Sequence, residues 1–197
     1  MLLLHRLNQA EKHLLLKNNA SPFLAGARFP ILKCAPHDAH LSGLYCLAAA
    51  AHWFHRFDFP KKPTISAILG TMLVSVPPNL PRMGIIEKHL RAAGDAYDLH
   101  MYRPTVFAIM GLEWPADWIW LVAVRRLPVP RLQEPPPERR YVLVLGLPDD
   151  QARFLVADPH PGTPSTYRVA IERFGPAWEA GATPTHRASA VVISSRW

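Results

Sequence analysis

One segment constrains the fold of this chain more than any other. From Tyr45 to about Phe57 the sequence reads Tyr-Cys-Leu-Ala-Ala-Ala-Ala-His-Trp-Phe-His and then Arg-Phe, with little polar character before its end. Alanine is the strongest helix former, and four in a row, at 48–51, let a neighbouring element approach the helix closely. A helix that is apolar around its circumference must be enclosed. The segment therefore predicts a helix at the centre of a domain, not on its rim.

Around it the remaining elements follow from periodicity. Leu3, Leu4, Leu7, Ala10, Leu14 and Leu15 recur at helical spacing from Leu2 to about Lys17, with Arg6, Gln9 and Lys12 on the other side. Asn18, Asn19 and Ser21-Pro22 end that pattern, so residues 1–20 are assigned to an amphipathic N-terminal helix and 21–197 to one domain. Pro63-Thr64 opens a helix to about Val74, and Ile85 to Ala93 forms another with Gly94 as its C-cap. Further on, Ile119–Val124, Tyr141–Leu145, Phe154–Ala157, Thr166–Val169 and Ala190–Ser194 are rich in β-branched and aromatic residues and predict strands. Between the first two of these, Pro128–Glu138 carries five prolines and reads as an exposed loop joining two paired strands. Helices first and strands after predict an α+β domain, its helices packed on an antiparallel sheet.

Composition narrows the functional classes. Of 197 residues, 49% are apolar and 19% charged, enough to bury a core. The 21 prolines are dispersed, which excludes a collagen or a single proline-rich tail. Two cysteines, Cys34 and Cys46, are too few for a disulfide scaffold, and free thiols are the plainer reading. The N-terminus lacks the long apolar core of a secretory signal. Trp118–Val124 is too short to span a bilayer, so a cytoplasmic protein without a membrane span is expected. The net charge, 22 − 15 = +7, favours an acidic partner. However, no glycine-rich phosphate cradle is present, and the basic residues make no nucleic-acid signature. Arg125, Arg126, Arg139 and Arg140 flank the proline-rich loop and, with Arg131, would form a positive rim if the strands pair.

Chemistry points first to Cys46. It follows the Ser42-Gly43 turn at the predicted helix start, where unpaired backbone N–H groups and the helix dipole favour a thiolate, the form in which cysteine is a nucleophile. A small buried hydrophobe is the alternative. Cys34, His37, His40, His52 and His55 form a Cys/His-rich stretch, but their spacing matches no closed tetrahedral zinc motif. No metal or other cofactor is expected.

The order of these features resembles the papain-like cysteine peptidases, and among them the bacteriocin-processing family that cleaves double-glycine leader peptides. The resemblance runs from about Cys34 to the C-terminus. It rests on Cys-x-x-Ala-Ala at Cys46–Ala50, a helix with a glycine turn around Gly84–Gly94, and the buried strand Trp118–Val124. The strand Arg140-Tyr-Val-Leu-Val-Leu-Gly146, the Val156-Ala-Asp-Pro-His-Pro161 turn and a closing segment with Val169, Ile171, Phe174 and Trp178 complete it. The resemblance implies a papain-like fold, Cys46 as the nucleophile and Asp158 as the carboxylate that orients a catalytic histidine.

Several positions depart from the family's pattern. Arg140 stands where the catalytic histidine is expected, and His40 where the oxyanion-hole glutamine is; Leu47-Ala48 replaces the usual Gly-Pro. A base must accept a proton near neutral pH, which arginine does not. An arginine there can hold Cys46 as a thiolate or pair with Asp158. The histidine that could substitute as base is His40, across the cleft, or His160, in the Asp-Pro-His turn. Three functional readings follow. The chain binds a peptide or protein segment without efficient cleavage. Alternatively, it is a live thiol hydrolase or transferase with a relocated histidine, or an interaction protein docking through its basic loop.

Overall fold

The computed structural model of the chain describes residues 29–55, 63–76, 87–102, 119–145, 151–181 and 190–195. A 3-10 turn, Pro36–Leu41, runs directly into α1 (Ser42–Phe54). Next come α2 (Ile65–Val74) and α3 (Glu87–Asp95). The strands are β1 (Leu99–Tyr102), β2 (Ile119–Val124), β3 (Arg140–Leu145), β4 (Arg153–Ala157) and β5 (Thr166–Ala170); α4 (Ile171–Ala180) precedes β6 (Ala190–Ser195). All six strands form one antiparallel sheet in the order β1-β6-β2-β3-β4-β5. The α+β architecture is the one expected.

The sheet is covered on both faces, and the pleat sorts its side chains between two cores. Leu121, Ala123, Tyr141, Leu143 and Leu145 join α1, α2 and α3 in the larger core. Their alternates Trp120, Val122, Val124, Val142 and Val144 pack with Phe174 and Trp178 of α4 in the smaller one. Every residue of β2 and β3 is buried for this reason, which is why, Arg140 apart, both read as apolar runs rather than as alternating ones. Central α1 is enclosed as predicted, with Leu44 and Cys46 through Ala51 fully buried.

Several boundaries differ from the sequence expectation. Helix α1 begins at Ser42, three residues before Tyr45, and its described end is Phe54. The Ser-Gly pair that looks like a turn is helical because tertiary contacts hold it there: the Ser42 hydroxyl accepts a 2.9 Å hydrogen bond from the Tyr141 amide. Thr64 caps α2 through its side chain, accepting from the Ala67 amide at 3.2 Å. Gly94 lies inside α3 and is not its C-cap. Its role is spatial, since a Cβ there would meet the Met101 sulfur of β1 at 2.7 Å. The left-handed residue after α3 is Asp98, at φ 51°.

Strand β1 and helix α4 were not expected. The loop between β2 and β3 is also less exposed than its prolines suggest, because Leu127 and Val129 are buried. The N-terminal helix expected over 2–17 lies outside the described residues, as does Phe57. No helix among the described residues is long and apolar enough to cross a membrane.

Candidate functional site

Cys46 is the fifth residue of α1 and is fully buried. The expectation of a poised thiolate rested on unpaired N–H groups at the helix start, and those belong to the first four residues. Here the preceding 3-10 turn also continues into α1, with the Ser42 amide donating to the Ala39 carbonyl. Burial pushes the Cys46 thiol well above its ordinary pKa, and neighbouring Cys34 and Asp158 add to the rise, while Arg140 opposes it. The thiol is a donor: Sγ hydrogen-bonds to the Tyr141 carbonyl at 3.5 Å.

That contact is part of a clamp. β4 pairs with β3 at Leu143 and Val144, so the outer edge of β3 at Tyr141 is taken by α1 instead. Ser42 and Cys46, one helical turn apart, engage the Tyr141 N–H and C=O respectively. A buried backbone edge needs such partners, and the two side chains fix where α1 meets the sheet.

Arg140, the first residue of β3, turns inward and is 1% exposed. Its Nε donates to both Asp158 oxygens, at 3.3 and 3.2 Å, and Nη2 donates to Oδ2 at 2.9 Å. Asp158 is fully buried. Its Oδ1 also accepts the His160 amide at 2.9 Å, and its Oδ2 accepts the Tyr167 hydroxyl at 2.7 Å. Burial works to lower the Arg140 pKa, but the charge and hydrogen bonds of Asp158 outweigh it and raise the value. The guanidinium is thus a fixed cation. Its Nη1 is buried without a hydrogen-bond partner among the described residues. Of the two roles open to an arginine here, pairing with Asp158 is the one observed. Arg140 is also no part of a positive rim; Arg139 is half-buried, donating to the Gly181 carbonyl at 2.8 Å and lying over the Tyr141 ring.

Lys33 ties the segment before α1 to the Asp158 turn. Its Nζ donates to the Asp158 carbonyl at 2.7 Å, the His160 carbonyl at 3.1 Å and Thr163 Oγ1 at 3.3 Å. The Cys34 amide reaches the Pro159 carbonyl at 2.7 Å alongside it. Burial pushes the Cys34 thiol up to about 12, with Asp158 and Asp38 contributing. Both cysteines are free, and Cys34 raises the cost of ionising Cys46.

The two candidate replacement bases are placed differently from Cys46. His160 contacts Asp158 through its backbone, while its ring Nδ1 accepts the Gly162 amide at 3.2 Å within the turn. His40 is exposed near the end of the 3-10 turn, whereas Cys46 is sealed. Among the described residues the Cys46 thiol is hydrogen-bonded to a backbone carbonyl and to no histidine. Sequence reasoning missed Tyr167, Lys33 and Ser42. A tyrosine in a strand, a lysine in an irregular stretch and a serine in a turn carry no one-dimensional mark of what they will touch.

Chemically the arrangement supplies a neutral thiol, a saturated carboxylate and a permanent cation. Among the described residues, no group hydrogen-bonded to Cys46 exchanges a proton near neutral pH.

No protein-family model matches the chain, and no curated protein matches it. Solved structures do. A Bacillus anthracis protein described as a C39-like peptidase superposes with a TM-score of 0.57 at 10% identity, over 86% of this chain and 96% of that one. A double-glycine-motif protease from an AMS/PCAT transporter, solved with a leader peptide, gives 0.49 at 12% identity, over 85% and 94%. The peptidase domain of Streptococcus ComA, a bifunctional ABC transporter, gives 0.48 at 14%, over 86% and 100%. The fold is that of the papain-like C39 peptidase domains, as the sequence resemblance implied.

Proposed function

We propose that this chain is a peptidase-like domain that holds a peptide or protein segment without cleaving it. One observation carries the reading: Arg140, which the sequence resemblance aligns with the catalytic histidine, is locked to Asp158 in a fully buried ion pair. General-base catalysis needs an acceptor within hydrogen-bond reach of the nucleophile, with a pKa near the working pH. A guanidinium meets neither need, and its raised pKa moves it further away. The Cys46 thiol supports the same reading, because a buried, protonated sulfur that donates to Tyr141 acts as a packing and registry group. Loss of one member of a catalytic triad costs several orders of magnitude in rate. Peptide binding is inferred from the retained fold, shared with a protein described as a peptidase.

The test is a displayed random-peptide library panned on the protein and on Cys46→Ser, with retained peptides then assayed for cleavage. Both proteins should retain the same sequences and leave them intact. Cleavage by the parent that Cys46→Ser abolishes would establish an enzyme, and failure to retain any peptide would remove the binding role.

A further inference from the structure

The outward face of α2 is unusual for a helix in contact with water. Among the ten residues Ile65–Val74 there is no charge. Ser66, Ala67, Gly70, Thr71, Leu73 and Val74 all lie on the exposed side. Leu73 is 38% and Val74 87% exposed, two of the three exposed large hydrophobics among the described residues. A solvent-facing helix surface ordinarily carries charged and polar residues, and an apolar one marks a contact. A Cβ at Gly70 would meet nothing within 4 Å. Packing within the described fold therefore gives no reason for a helix-weakening glycine there, while an element lying across α2 from outside would.

The structure also shows where the preceding chain enters. Phe29 is buried against the Trp53 ring of α1, with centroids 5.6 Å apart, and belongs to the core shared by α1 and α2. Phe29, the first described residue, thus places the point from which the preceding sequence leads off on the helical side of the sheet. The eleven residues 18–28 reach up to roughly 36 Å when extended, against about 15 Å for the length of α2, so distance does not restrict the contact. Within 2–17, Leu3, Leu4, Leu7, Leu14 and Leu15 share one side at helical spacing, and Arg6 and Lys12 lie off it. An uncharged receiving face suits that leucine side and asks for no ion pairing.

We infer that the chain's own N-terminal segment, residues 2–17, docks its leucine face on the outer face of α2. The contact is intramolecular and independent of the peptide-holding role.

Hydrogen exchange on the full-length chain tests this. Leu7→Glu with Leu14→Glu should accelerate exchange across 66–74 at least tenfold. Val74→Glu should do the same across 3–15, while β2 and β3 keep their protection in both variants. As an independent readout, Leu7→Cys with Val74→Cys should form an intramolecular disulfide under mild oxidation. Unchanged exchange at 66–74 in the leucine variant would overturn the inference. So would an intermolecular disulfide, or a concentration-dependent mass that Val74→Glu abolishes, either of which would assign the face to a second copy of the chain.

Discussion

The Arg140 guanidinium grips the Asp158 carboxylate from the side at 2.9 Å, and neither side chain is exposed to solvent. Two ions sealed together exchange strong hydration for one another, and the arrangement holds only while both are present. Asp158 is therefore a structural anion in this chain. It receives Arg140 from β3, Tyr167 from β5 and the His160 amide from its own turn, so three parts of the sheet converge on one carboxylate.

Removal of either partner should be costly. Asp158→Ala leaves a buried cation unpaired, which typically costs about 3–5 kcal/mol, and Arg140→Met should cost a similar amount by stranding the carboxylate. Urea denaturation of the two single variants and the double variant gives the coupling. The double variant should lose clearly less than the sum of the singles; simple additivity would show that the pair contributes nothing as a pair.

Tyr167→Phe isolates one of the supporting bonds. The ring stays in the α4-side core, but the 2.7 Å hydrogen bond to Asp158 disappears. Hydrogen bonds to charged groups contribute about 1.5–3 kcal/mol, so a loss of about 2 kcal/mol is expected in the same measurement. An unchanged midpoint would mean that the hydroxyl is dispensable to the carboxylate.

The pH dependence of stability carries a signature of His160. Its pKa is lowered in the fold, first by burial and then by the Arg140 charge. The unfolded chain then binds more protons than the native one below the ordinary histidine value, near 6.5. Its contribution to stability is present above that value and declines as pH falls through it toward the native pKa. His160→Gln should flatten this part of the stability–pH profile, and an NMR titration should place the ring's midpoint below the ordinary value. A midpoint above it would reverse the sign.

Gly181, which follows α4, is a site where any side chain collides with backbone. An added Cβ would lie against the Ala123 carbonyl and 2.8 Å from Val124 Cα, neither of which can swing aside. Overpacking typically costs about 1–3 kcal/mol, and Gly181→Ala should fall at or above the top of that range. Calorimetry of the variant checks it; a near-native melting temperature would mean that α4 shifts freely on β2.

Much of this arrangement is written into local patterns. The four alanines of α1 announce a buried helix, and the β-branched and aromatic runs of β2 and β3 announce strands. The features that escaped are those fixed by tertiary contact. Gly175-Pro176 interrupts α4 with residues that look like a break, and β1 is only four residues long. The Ser42-Gly43 pair reads as a turn until the Tyr141 amide claims the hydroxyl. At the site, Cys46, Asp158 and Arg140 stood out in one dimension, together with the possibility that the last two pair. The state of the thiol did not, because it depends on burial and on Tyr141, ninety-five residues away.

The most direct measurement is the alkylation rate of Cys46 by iodoacetamide against pH, in a Cys34→Ser background. Enclosure and a raised thiol pKa predict negligible reaction from about pH 6 to 8 in the native protein, with full reactivity appearing only on unfolding, at the free-cysteine value near 8.5. Rapid modification persisting down to about pH 6 would show an accessible thiolate and contradict the account of a site that binds without cleaving.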